Sequence, residues 1–93
     1  MSESDTPTPD QKPSVGRVVH VPMPRSANNG ADFAPAIVTR VWDDEVSINV
    51  RILADSTASL QEWRTSLTYV EELPDGPIMD ETSLLHWTWP KKV

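Results

Sequence analysis

Few side chains in this sequence have the types and spacing that catalysis requires. The chain has no cysteine and only two histidines, His20 and His86, which are its only candidates for an imidazole base. There is no Gly-x-Ser-x-Gly elbow, and the three glycines are too scattered for a phosphate-binding loop. Acidic clusters at 43–45, 71–72 and 80–81 fall in predicted turns, where carboxylates are usually solvated. The sequence therefore predicts a protein that is not an enzyme and has no cofactor.

A metal site is not predicted either. The spacing of His20 and His86 matches no ligand motif, and thiolate ligands are absent from the sequence. The two imidazoles could share a metal with an aspartate only if the first and last strands pair. We expect both histidines to be strand residues whose rings are half covered.

A contact surface is the stronger hypothesis for these residue types. An arginine and a tryptophan beside an amide suit a protein partner, or an anionic nucleotide-like ligand held by stacking and charge. The first candidate set is Arg40, Trp42, Asn49 and Arg51. A second, weaker set is His86, Trp87 and Trp89. The competing interpretation is that these tryptophans fill the core or cover an open end of the fold.

Two predicted strands joined by an acidic turn must position the first set. From Val46 to Ile52 apolar residues alternate strictly with polar ones. This period of two is typical of a strand with one buried face, whereas a helix would space its apolar residues three and four apart. The preceding segment, 35–42, forms the partner strand of a hairpin.

The register of this hairpin has two alternatives, and a slip of one residue would reverse every side chain. A loop of two residues, 44–45, pairs Val41 with Ile48 and Thr39 with Val50 on an apolar face. It places on the reverse face Val38, Arg40, Trp42, Ser47, Asn49 and Arg51. A loop of three residues, 43–45, would instead bury Trp42 and Arg40. Turn chemistry favours the longer loop because tight hairpins prefer a glycine, but we predict the shorter one, since burying Arg40 against isoleucine costs more.

Three further strands complete the predicted sheet, at 15–21, 63–70 and 84–89. Pro22 and Pro24 should end the first, because neither can donate to a ladder. An Asn-Asn-Gly turn follows within a loop at 25–34, which Phe33 should anchor to the core, and a helical turn is expected at 60–63. The fourth strand should present on one face Trp63, Thr65, Leu67 and Tyr69. These elements predict an all-β fold, a small five-stranded antiparallel SH3-like barrel, with an OB-type barrel as the alternative.

Composition limits the remaining choices. The 93 residues suffice for one domain, which we divide into a disordered tail at 1–14 and a β-barrel at 15–93. The net charge of −6 argues against nucleic acid as a partner. No apolar run or signal segment predicts a membrane protein or a secreted one, so a soluble protein is expected. Four tryptophans exceed what so small a core can hide, which favours a protein partner or a homo-oligomer.

Several short motifs occur in this order along the chain: Gly16-Arg17-Val18-Val19-His20-Val21, Pro35-Ala36-Ile37-Val38, Arg40-Val41-Trp42, Trp63 with Ser66-Leu67, and His86-Trp87-Thr88-Trp89-Pro90. Over residues 16–90 the sequence resembles a group of small proteins encoded by tailed bacteriophages and prophages, with a GRxVH start, a PAxVxRVW centre and a closing WxWP. The closing HWTWP departs from the more compact Gly-Thr-Trp-His-Trp-Pro of that group. The resemblance implies the cytoplasm of a bacterial host, or association with the virion, and implies no activity.

Three functional hypotheses follow from these observations. The first is a non-enzymatic phage-type accessory protein that acts as a protein-binding or assembly module. The second is a sponge-like protein that sequesters a nucleotide-derived signal of host defence. The third is a barrel that binds single-stranded nucleic acid, which suits the aromatic residues but is least favoured because of the negative charge.

Overall fold

The computed structural model describes residues 9, 11–55, 61–73 and 84–90. Five strands form one sheet in the order β1-β2-β3-β4-β5. They are β1 (Val18–Pro22), β2 (Phe33–Val41), β3 (Ile48–Leu53), β4 (Gln61–Tyr69) and β5 (His86–Trp87), with one 3-10 turn at Arg25–Ala27. Backbone bonds between His20 and Thr88 join the two ends of the sheet, which nearly closes into a barrel. The all-β, five-stranded prediction is confirmed. Within these ranges no helix is long and apolar enough to cross a bilayer.

The tail predicted at 1–14 falls largely outside the described residues, because the structure describes only residue 9 and residues 11–14 of it. Its predicted disorder stays a prediction. Lys12, in the described part, forms an ion pair with Glu45 at 3.1 Å.

The sheet is mixed, so the prediction of an entirely antiparallel barrel is wrong at one pairing. β1 to β4 are antiparallel neighbours, whereas β5 runs parallel to β4, with Thr68 opposite His86 and Tyr69 opposite Trp87. Parallel neighbours need a connection of about a dozen residues or more. The sequence between Tyr69 and His86 has that length.

One core lies inside the sheet. Its members are Val19, Val21, Met23, Ala34, Ala36, Val38, Ile48, Val50, Ile52, Leu67, Tyr69 and Trp87. Trp87 is the largest wholly buried side chain, and its indole N–H donates to the carbonyl of Val46 at 2.9 Å. The ring of Tyr69 packs edge-on against it, 4.9 Å between centroids. The alternation predicted for β3 is confirmed, because its inward residues are all buried.

A bulge in β2 changes the predicted register of the hairpin. Next to the turn, Val41 pairs with Ile48, as the shorter loop predicts, but beyond the bulge Val38 pairs with Val50. An extra residue in one strand moves every side chain of that strand beyond the bulge to the opposite face of the sheet. Val38 is therefore buried and Thr39 is exposed, and the prediction that assigned them to the opposite faces is wrong.

β4 contains a second bulge, next to Ser66. The register against β3 shifts between Arg64 and Leu67, and Ser66 has the left-handed φ of 63°. The extra residue puts Leu67 in the core and turns Trp63 outward, with 53% of its surface exposed. The predicted common face of Trp63 and Leu67 is therefore wrong. The predicted helical turn is wrong as well, because residues 61–63 belong to β4; residue 60 lies outside the described residues.

Asn28 holds the loop between β1 and β2 against the end of β3. Its amide nitrogen donates to the carbonyl of Phe33 at 2.7 Å, and its amide oxygen accepts from the N–H of Asp55 at 2.7 Å. Gly30 has a φ of 88°, as the Asn-Asn-Gly pattern predicts. Phe33 is not the predicted core anchor, because as the first residue of β2 it points outward and packs against the ring of His20.

Arg64 is a buried cation that ties three parts of the chain together. Its guanidinium donates to the carbonyls of Pro22 at 3.0 Å and Leu84 at 2.8 Å, and to the carboxylate of Glu62 at 2.9 Å. Only 7% of Arg64 is exposed. These bonds connect the end of β1, β4 and the segment before β5, so Arg64 helps to close the barrel.

Candidate partner-binding surfaces

Arg40 and Trp42 form a stacked pair at the end of β2. Both side chains are exposed, as the shorter loop predicts, and the guanidinium carbon of Arg40 lies 4.2 Å from the centre of the Trp42 ring. The backbone N–H of Trp42 bonds to the carbonyl of Ser47 at 2.9 Å, which fixes the position of the pair above the turn. The structure thus brings these two predicted site residues together in a cation–π contact.

The side-chain oxygen of Asn49 accepts three hydrogen bonds. The donors are the indole N–H of Trp42 at 2.9 Å, the hydroxyl of Thr65 at 2.8 Å and the backbone N–H of Ser66 at 2.9 Å. β3 places Asn49 opposite both bulges, where the regular ladder is interrupted. The residue is 6% exposed, and its oxygen is fully used as an acceptor. Asn49 therefore holds the two bulges together and does not offer this oxygen to a ligand.

Asp44 organises the turn that carries this pair. Its carboxylate accepts from the backbone N–H groups of Val46 at 2.9 Å and Ser47 at 2.7 Å, and from the Ser47 hydroxyl at 2.5 Å. The Ser47 hydroxyl, followed by the two backbone groups, holds the pKa of Asp44 below its ordinary value. Glu45 takes the left-handed position, with a φ of 64°, that a glycine usually fills in such turns. The Asp44 carboxylate thus stabilises the conformation of the turn.

Arg51 does not join Arg40 and Trp42. Beyond the bulge, β3 pairs Arg51 with Ile37 on one side and with Trp63 on the other. Ile37 in turn pairs with Val18 of β1. Alternate residues of a strand share a face, so these residues form a row across four strands, on the outside of the sheet.

This row is part of a larger apolar surface, which we call the outer face. It comprises Val18, Phe33, Ile37, Arg51, Leu53 and Trp63. The exposed fractions are 45% for Val18, 47% for Phe33, 41% for Leu53 and 53% for Trp63. Together these four side chains expose on the order of 350 Å² of apolar surface, which is in the range of patches that mark interaction sites.

The second predicted set divides between core and surface. Trp87 is wholly buried and presents no surface to a partner. Trp89 is half-buried; its indole N–H donates to the backbone carbonyl of Gln11 at 2.9 Å, and the guanidinium carbon of Arg17 lies 5.0 Å from its ring centre. His86 is half-buried in β5.

The histidines do not form a metal site with other described residues. The first and last strands do pair, but the pairing sets His20 opposite Thr88 and not opposite His86. Among the residues that the structure describes, no three potential ligands are close enough to hold an ion. His20 lies against Phe33, 4.7 Å between ring centroids, and its partial burial lowers its pKa.

Comparison with known proteins gives no match. The chain matches no family model, no curated protein and no solved structure. The resemblance to tailed-phage proteins therefore stays a prediction, as do the activity, the partner and the location.

The outer face was missed at the sequence level because it depends on the bulge in β4. Without the bulge, Trp63 shares the phase of Leu67 and is assigned to the core. Serine at the left-handed position gives no compositional signal, since glycine or asparagine would be expected there. Only the exposed fraction of Trp63 in the folded chain reveals this surface.

Proposed function

We propose that this protein is a non-enzymatic binding module that docks a partner protein on its outer face. The observation that carries the proposal is Trp63, which leaves 53% of its surface exposed beside other outward apolar side chains. Tryptophan is one of the residue types that contribute most to binding at protein interfaces. Its exposure in a chain with so small a core is best explained by a partner that covers it.

The size of the outer face indicates what kind of complex it supports. Stable protein complexes bury roughly 800 Å² on each partner, a little over half of it apolar, so the apolar area exposed here is somewhat below that of a stable interface. The outer face thus suits a transient complex or a short segment of a partner. The predicted homo-oligomer would need further surface and remains a separate prediction.

The nucleotide hypothesis has less support. Arg40 already covers one face of the Trp42 ring, and the oxygen of Asn49 is filled by three donors. Arg51, which was predicted to complete that site, lies in the outer face instead.

We further propose that the barrel is SH3-like and acts in a phage context, in the host cytoplasm or on the particle. Successive antiparallel pairing of β1 to β4 and the bonding of β5 to β1 support the architecture. The GRxVH, PAxVxRVW and WxWP motifs support the setting.

The proposal is tested by comparing Trp63→Ser with the matched control Val15→Ser. Val15 is an exposed apolar residue that belongs to no strand, with 66% of its surface accessible. Each variant is immobilised and exposed to bacterial host lysate, and retained proteins are quantified by mass spectrometry. We expect one protein to be retained by the wild type and by Val15→Ser but reduced at least 30-fold by Trp63→Ser, since an interface hot spot contributes about 2 kcal/mol or more.

Stability is the necessary control for this comparison. Val15→Ser should change the free energy of unfolding by about 0.5 kcal/mol or less, whereas Trp63→Ser also loses the packing of the covered half of the ring and should cost about 1–3 kcal/mol, so binding is compared at a temperature where both variants are folded. If every retained protein binds all three chains equally, the outer face is not a docking site. Sedimentation velocity across a concentration series shows whether the partner is a second copy.

A further inference from the structure

The chain's own N-terminal segment lies against a groove at one end of the barrel. We call this the Trp89 groove; it is lined by Gln11, Gly16, Arg17, Val18, Trp89 and Pro90, with a volume of about 540 Å³. Only Val18 is shared with the outer face. The groove is thus a second surface, separate from the one to which the proposed function is assigned.

The segment is bonded to the barrel by an aromatic N–H, and it contains two buried prolines. The indole N–H of Trp89 donates to the backbone carbonyl of Gln11 at 2.9 Å. Pro9 and Pro13, two residues to either side, are both buried. Residues 9 and 11–14 belong to no strand or helix, so this carbonyl is bound by a side chain and not by a ladder.

An indole N–H that bonds a carbonyl between two buried prolines is one feature of proline-rich recognition. Extended proline-rich segments keep their carbonyls free of internal bonds and lose little entropy on binding, and aromatic grooves recognise them by packing the rings and bonding a carbonyl. Arg17 stacks on Trp89, and Trp87 packs edge-on at 5.4 Å between centroids, so the indole is fixed in its donor orientation before a ligand arrives.

We propose that the Trp89 groove is a binding site for proline-rich extended segments of a partner protein, and that the chain's own segment around Gln11, which forms part of the groove lining, competes with such a ligand for the Trp89 indole. A tethered segment acts at an effective concentration in the millimolar range. The ion pair of Lys12 with Glu45 adds little to its affinity, because both side chains are more than 60% exposed. A partner with a better segment can therefore displace it.

The test uses the full-length chain and a labelled peptide with the sequence of residues 6–14, TPTPDQKPS. Fluorescence anisotropy compares the wild type with the double variant Pro9→Gly, Pro13→Gly, in which the competing segment is weakened. We expect the double variant to bind the peptide at least fivefold more tightly. Adding Trp89→Phe should reduce the affinity about fivefold, the effect of losing one hydrogen bond. Trp42→Phe is the matched control, because it removes one indole hydrogen bond outside the groove, and it should leave the affinity unchanged.

Two further measurements keep the test decisive. A peptide with its prolines replaced by alanine should not bind. If Trp89→Phe fails to fold, the indole N–H resonance of Trp89 in the double variant replaces it, and this resonance should shift on peptide addition more than those of the other tryptophans.

The proposal is overturned if the peptide does not bind at millimolar concentration, or if the alanine peptide binds equally well. It is also overturned if Trp89→Phe leaves the peptide affinity unchanged and the Trp89 indole resonance does not shift when the peptide is added. A dimer that forms by exchange of residues 9–13 between copies would reassign the groove from a partner protein to a second copy of the chain.

Discussion

Replacing Asn49 with alanine should destabilise the fold, because one side-chain oxygen satisfies donors on two neighbouring strands. The backbone N–H of Ser66 would lose its partner, which costs about 1–3 kcal/mol when the group cannot reach water. The indole N–H of Trp42 and the hydroxyl of Thr65 lie at the surface and can bond to solvent, so each adds about 0.5 kcal/mol. The expected loss is about 2–4 kcal/mol.

That loss is large for this protein. A single domain of this size has a free energy of unfolding of roughly 4–12 kcal/mol. The Asn49→Ala chain should therefore melt roughly 10–25 °C below the wild type, as measured by tryptophan fluorescence and checked by urea titration. Asn49→Asp retains an acceptor oxygen and should lose less than half as much.

A double-mutant cycle separates the contributions. Trp42→Phe removes one donor and should cost about 1 kcal/mol or less in the wild type, but almost nothing in the Asn49→Ala background. An Asn49→Ala chain within about 0.5 kcal/mol of the wild type would refute the structural role assigned to Asn49. It would return this residue to the candidate ligand contacts.

Three other perturbations have defined outcomes. Arg64→Met should cost about 2–4 kcal/mol in urea denaturation, because a buried carbonyl and a partly buried one lose a charged donor. The pKa of Asp44 is lowered in the fold, so its contribution is present above the ordinary aspartate value of about 4 and disappears as pH falls through the lower folded value. Asp44→Asn should therefore be less stable than the wild type at neutral pH, and the two melting temperatures should converge in acid. Burial lowers the pKa of His20, so the unfolded chain takes up its proton first as pH falls below about 6.5. The melting temperature should therefore decline as pH falls from about 6.5 to the lower pKa of the folded state. His20→Gln should reduce this decline.

The strands could be predicted from sequence where alternation is unbroken. Val50 and its inward neighbours in β3 repeat at period two without interruption, and the structure buries them. The pairing of Val41 with Ile48 followed from the same pattern. Register beyond the bulges could not be predicted, because a bulge inserts one residue whose side chain need not differ from its neighbours, as Thr39 shows.

The candidate sites show the same division. The common outward position of Arg40 and Trp42 could be predicted from sequence, because the two residues are two positions apart at the end of one predicted strand. The outward position of Trp63 could not be predicted from sequence, since it depends on how β4 is offset against β3. The parallel orientation of β5 was equally hidden, because it depends on a long connection and not on the strand's own residues.

The two residues of β5, His86 and Trp87, have two structural roles. Their backbone, with Thr88, forms the seam of the barrel, and the indole of Trp87 occupies the middle of the interior. A fluctuation that released residues 86–88 would therefore open the seam and withdraw the largest hydrophobic ring in one movement. Separation of the seam and loss of Trp87 from the core are therefore one event. The barrel should unfold cooperatively from this seam and not one strand at a time.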